Sequence, residues 1–287
     1  MRLKKFLVRH PVSGYFCITF LVSWGGAMAL VAPYLINGEP IPRMFGLFMF
    51  PVMLLGPSLT AIFLTRLIDG KSGLKDLYSR MKRGRIGAKW YLIAIGLPPV
   101  AILIVLNFMG HLISPVFDPH LFVIGLSFGL LAGYLEEIGW TGYAYPRMNL
   151  SHDVFWNSII LGIIWCFWHI PVIDYLGSAS PHGKYLLLYF FSFVSVMVPL
   201  RSLIAWIYRN THSVLLAQIM HASSTGFLVM LSPTPISPSR EPIWYFVYGG
   251  VLWIITIAIR IIELHKSGNK GGSSGSANQK LQNPFLL

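Results

Sequence analysis

The sequence predicts an all-α, polytopic integral membrane protein of about eight transmembrane helices with both termini cytoplasmic. Three observations carry this prediction. Hydrophobic residues make up 55% of the 287 and charged residues only 11%, against about a quarter charged in ordinary globular domains. A chain so poor in charge cannot coat a soluble body, and its mean hydropathy of +0.64 points to lipid as its solvent. Eight apolar runs are long enough to cross hydrocarbon, which takes about 20 helical residues. The basic residues, finally, gather at one set of helix ends.

The runs fall at 14–36, 45–68, 90–113, 121–145, 154–176, 185–207, 212–231 and 243–263. The fifth and seventh have soft ends, because Pro171 and the Ser-Pro-Thr-Pro run at 232–235 remove backbone donors and break or kink helices. With both termini inside, 19 of the 22 basic residues are cytoplasmic, Arg147 and Arg201 among them, and only Arg43, Lys184 and Arg240 lie outside. Lysine and arginine are retained on the cytoplasmic side, so this bias orients the chain. The first run exceeds the core of a secretory signal and is expected to stay as a helix. Residues 1–263 form one transmembrane domain on this reading. The stretch 264–287, rich in Gly, Ser, Asn and Lys, is expected to be a disordered cytoplasmic tail. The chain is placed in the cell membrane, multi-pass.

A net charge of +12 invites a nucleic-acid reading, but the aromatics sit in apolar runs apart from the basic residues, so no nucleic-acid partner is expected. The basic loop 69–89 instead suits anionic lipid headgroups. Cys17 and Cys166 each lie in an apolar run and suggest neither a disulfide framework nor a thiolate metal site.

A charge at the bilayer centre costs at least about 2.5–3.5 kcal/mol. Most acidic residues avoid this cost at helix ends, with Asp174 near the outer end of the fifth span, but Glu136 and Glu137 sit adjacent inside the fourth. His169 and His221 lie inside spans five and seven. The fourth span also carries Gly125, Gly129, Gly133, Glu137 and Thr141 at intervals of four, a small-residue stripe that lets a neighbouring backbone approach closely. On the seventh, Gln218 and Thr225 share a face with His221.

Buried carboxylates beside imidazoles suit the activation of water against a carbonyl, with a second imidazole and a hydroxyl or amide stabilising the oxyanion. No H-E-x-x-H occurs, Ser178 and Ser180 fall in an outer loop, and two buried aspartates are lacking. Zincin, serine and aspartyl designs are therefore disfavoured.

The run Glu136-Glu137-Ile138-Gly139-Trp140-Thr141-Gly142-Tyr143, followed by Pro146-Arg147, resembles the first motif of the CAAX-protease and bacteriocin-processing (CPBP, or Abi) intramembrane protease family. Trp165 to Pro171, with His169, resembles its second motif, and Ser213 to Thr225, with His221, its third. The resemblance covers about residues 120–230. It implies a glutamate-dependent endopeptidase acting near the cytoplasmic side on a peptide or membrane-protein substrate. Glu136 would be the general base assisted by His169, Glu137 would orient the water or a partner side chain, and His221 would help stabilise the oxyanion. No cofactor is required on this reading, although two Glu and two His are able in principle to hold a divalent ion. Thr141 stands where the family carries an arginine, Trp165 where it carries phenylalanine and Thr225 where it carries asparagine. These departures bear on catalysis rather than fold. A non-catalytic membrane scaffold of the same fold is the alternative. A proton-coupled transporter is a third reading, opposed by the lack of internal repeats.

Overall fold

The structure is a computed structural model that describes residues 2–113, 122–148, 153–233 and 236–271. Asp118, His120, His152, Lys280 and the tail from 272 onward lie outside the described residues.

Every regular element described is helical. A short helix α1 (Arg2–Arg9) leads into α2 (Pro11–Asn37), then α3 (Arg43–Ile68), α4 (Gly70–Met81) and α5 (Ala88–Ile113). Helix α6 (Phe122–Gly139) continues through a π-helical turn (Trp140–Ala144) into α7 (Tyr145–Met148). Helices α8 (Val154–Trp168), α9 (Leu186–Thr211), α10 (Val214–Leu231) and α11 (Glu241–Gly271) complete the order. Among the described residues, six stretches are long and apolar enough to cross a membrane: Pro11–Asn37, Arg43–Ile68, Ala88–Met109, Gly183–Thr211, Val214–Leu231 and Glu241–Lys266. The other two expected spans correspond to α6 with its π turn and to the shorter apolar α8.

The burial pattern is that of a protein dissolved in lipid. Leu21, Ile36, Leu92, Phe108, Val123 and Ile254 are exposed, whereas Thr19, Ser23, Glu136, Glu137, Ser192 and Arg201 are buried. Apolar side chains meet the lipid, and Ser23, Glu136, Glu137 and Arg201 bond across helices, where hydrocarbon offers no partner. The chain is an integral multi-pass membrane protein.

Local chemistry explains the helix ends. Gly38 adopts φ 67° after α2, and the backbone N–H groups of Gly38 and Glu39 close on the Leu35 and Tyr34 carbonyls, the usual left-handed stop. Asp153 caps α8 by accepting from the Phe155 N–H at 2.9 Å, and Ser213 caps α10 through the Leu216 N–H at 3.2 Å. Helix α8 stops at Trp168, three residues before Pro171, whose ring excludes the helical carbonyl four residues back. The chain then runs as a 3₁₀ turn, Ile170–Tyr175, so the fifth span is broken rather than continuous to 176.

Three expectations change. The loop 69–89 contains the helix α4, which neither apolar length nor charge counting marks. The expected tail from 264 begins as a helix, since α11 runs on to Gly271. His212 does not start the seventh helix but links α9 to α10 with φ 50°. That sharp reversal sets α9 and α10 side by side.

Candidate active site

The site is assembled by close approach of α6 and α10. A β-carbon on Gly125 would meet the Gly226 carbonyl and Met230. One on Gly129 would meet the Ala222 carbonyl and Gly226, and one on Gly133 the Gln218 carbonyl and Ala222. Only hydrogen at these positions permits the packing, so the glycine stripe is the α6–α10 seam. One turn beyond Gly133 the seam ends at Glu137, facing His221.

Both glutamates are fully buried, and His169 and His221 nearly so. The adjacent carboxylates point to different partners. Arg201 of α9 binds Glu137 with both guanidinium arms, Nη1 to Oε1 at 3.0 Å and Nη2 to Oε2 at 2.7 Å. Thr141 donates its hydroxyl to Glu137 Oε2 from one turn on. His221 Nδ1 lies 2.7 Å from Glu137 Oε1. A carboxylate only accepts, so Nδ1 carries the proton, and Nε2 is turned toward Glu136 Oε1 at 3.9 Å. Glu137 is thus saturated and fixes the imidazole.

Glu136 is held differently. Its Oε2 accepts from Trp165 Nε1 at 2.6 Å and from Trp140 Nε1 at 3.0 Å. Its Oε1 is buried without a protein hydrogen-bond partner. His169 Nδ1 lies 2.8 Å from the Trp165 carbonyl, which accepts its proton and leaves Nε2 unengaged. The His169 ring packs edge-on to Trp165, Trp168 and Phe193. Because α8 ends at Trp168, His169 sits where backbone leaves the helix, and irregular backbone at this depth lines a cavity rather than lipid.

That cavity measures about 370 Å³ and is lined by Glu136, His169, His221 and Thr225 together with Phe50, Phe128, Phe193 and Leu228. All four ionisable residues expected from the sequence converge, Glu137 directly behind the other three. Thr225 lines the same space. Gln218 does not join them: its amide donates to the Tyr134 carbonyl at 3.0 Å.

The residue that sequence reasoning misplaced is Arg201. Counted with the cytoplasmic cations, it is instead fully buried, lies within 5.0 Å of the Trp165 ring, and answers the carboxylate beside Thr141. The signal was present, since an arginine inside the apolar run 185–207 carries the cost assigned to the glutamates, and Thr141 left an arginine wanting. The π-helical turn and Arg80 were also missed. Arg80 of α4 donates to the Gly142 carbonyl and the Tyr208 hydroxyl, both at 3.0 Å, satisfying a carbonyl that the widened turn exposes.

Comparison with known proteins agrees with the motif reading. Residues 118–227 match the family described as "Type II CAAX prenyl endopeptidase Rce1-like". The chain is 29% identical over 157 residues to CAAX prenyl protease 2 of Methanococcus maripaludis, an alignment covering 54% of this chain and 53% of that protein. The chain thus spans about half the length of the curated relative it matches. The family match includes the segment that carries Glu136, His169 and His221, and over that segment the chain is similar to the CAAX-protease family.

Proposed function

We propose that the protein is an intramembrane endopeptidase that hydrolyses a peptide bond in a peptide or membrane-protein substrate, with Glu136 as general base. The observation that carries this reading is the asymmetry of the two carboxylates. Glu137 is occupied on both oxygens, whereas Glu136 presents one unpartnered oxygen to the cavity beside an imidazole. Two indole donors hold the other oxygen and so fix the carboxylate plane, as a positioned base requires.

Glu136 Oε1 takes a proton from water while the oxygen bonds to the scissile carbonyl carbon, assisted by His169 Nε2. The oxyanion-stabilising role implied by the resemblance falls to His221, whose ring Glu137 orients through Nδ1, with the Thr225 hydroxyl on the same cavity as a donor. The proton on Glu136 then passes to the leaving amine as the C–N bond breaks. The roles of Glu137 and Arg201 are positional. Arg201 supplies from α9 the guanidinium that the family's first motif carries at the position of Thr141, so the motif's electrostatics survive its substitution.

No step is routed through a metal ion. Both Glu137 oxygens are bound by Arg201, and no three His, Cys, Asp or Glu among the described residues converge with ligand spacing.

The test is a quantitative survey of new peptide termini in membranes expressing wild-type protein or Glu136→Gln. Termini that appear only with wild type support the protease and name its substrates. Equal sets from equally abundant, folded proteins favour the scaffold.

A further inference from the structure

We infer that substrate reaches this site from the extracytoplasmic face of the membrane, so that it cuts exported peptides or the outer ends of membrane-protein segments; this rests on the protease reading. The first observation is the direction of the cavity. From Glu136 its lining runs past Phe128 to Arg43, Tyr175, Ser178 and Ser232. Arg43 is the first residue of α3, Ser232 follows the last of α10, and Tyr175 and Ser178 belong to the irregular segment after α8. All four mark one end of the bundle.

The second observation is what closes the other end. Between Glu136 and the opposite face lie the buried Trp140, Tyr143 and Tyr145 and the Glu137–Arg201 pair. Leu77 and Arg80 of α4 then cover the π turn: a β-carbon on Gly142 would meet Leu77, and Arg80 binds the Gly142 carbonyl. The site is plugged on that side.

The third is charge. The plugged end carries Arg66 at the end of α3, the basic α4, Arg209 at the end of α9, and Arg260 and Lys266 on the last turns of α11. With Arg201 removed from the count because it is buried, seventeen basic residues among those described stand on the plugged side against Arg43, Lys184 and Arg240 on the open side. Cytoplasmic loops retain lysine and arginine, so the open end faces outward. On this inference the cut lies toward the outer side of the membrane, where the resemblance implies the cytoplasmic side.

The experiment is cysteine accessibility in the full chain. In a Cys17→Ser/Cys166→Ala background, Ser178→Cys and Arg43→Cys report the open end, and Ser79→Cys, exposed on α4, reports the plugged end. Intact cells are treated with a membrane-impermeant charged maleimide, with permeabilised cells in parallel. Ser178→Cys or Arg43→Cys reacting in intact cells, with Ser79→Cys reacting only after permeabilisation, is the expected result. The reverse pattern, or both open-end reporters failing to react from outside, overturns the inference. Labelling requires no turnover and is repeated in Glu136→Gln. Outward labelling without any peptide cleavage therefore leaves the access face standing and removes the protease reading alone.

Discussion

Arg201 and Glu137 offer the sharpest energetic test of how the site is held. Arg201→Met deletes the guanidinium and leaves a fully buried carboxylate with Thr141 and His221 as its remaining partners. Removing one member of a buried ion pair costs about 3–5 kcal/mol, because the other charge stays desolvated without compensation. Glu137→Gln exposes the same penalty from the other side, leaving Arg201 buried beside a neutral amide. Removing both charges takes away the attraction and the desolvation cost together, which is often close to neutral. The double variant should therefore be less destabilised than the sum of the singles, by at least about 1 kcal/mol of coupling. The assay is reversible unfolding in mixed micelles for the four proteins of the cycle. Additive effects, each below about 1 kcal/mol, would show that the pair does not organise the core. Thr141→Arg in the Arg201→Met background should recover part of the lost stability and peptide cleavage, since it returns a guanidinium to Glu137 from one helical turn away.

Three further outcomes follow from the same geometry. Trp165→Phe keeps an aromatic side chain but removes the 2.6 Å donor to Glu136, worth about 1.5–3 kcal/mol for a bond to a charged group; kcat should fall with KM little changed, and a pure KM effect would contradict the positioning role. Gly129→Leu places a side chain against the Ala222 carbonyl and Gly226, an overpacking that costs about 1–3 kcal/mol or more; unaltered thermal stability in detergent would refute the seam. Prolonged dialysis against a strong divalent chelator should leave cleavage intact, and activity lost on dialysis but restored by one divalent ion would overturn the metal-free reading.

The helical architecture was legible because hydrocarbon imposes one length and one composition on every span. Breaks inside spans were less so. Pro171 flagged an uncertain end, but that α8 stops at Trp168 and hands His169 to a 3₁₀ turn depends on what α8 packs against. Helix α4 was invisible because its polar sequence lacks the apolar length that marked the others. The Glu and His cluster was legible for an energetic reason: a charged group in an apolar run demands compensation. The same reasoning, applied evenly, would have drawn in Arg201, whose side chain was counted as a topology signal. Trp140 and Trp165 stand in the first and second motifs, but their shared role as donors to Glu136 is not legible until the fold brings both indoles onto one carboxylate.

The division of labour between the two glutamates is the central claim, and one comparison addresses it directly. Cleavage of a substrate peptide from the terminus survey is measured with purified, lipid-reconstituted wild type, Glu136→Gln and Glu137→Gln, alongside the unfolding midpoint of each. Glu136→Gln should lower turnover about 10²–10⁴-fold, the usual contribution of a general base, with little change in the midpoint. Glu137→Gln should lower midpoint and turnover together. If Glu136→Gln cleaves at the wild-type rate, or if Glu137→Gln abolishes turnover while the midpoint stays in place, the assignment of base and positioning residue is wrong.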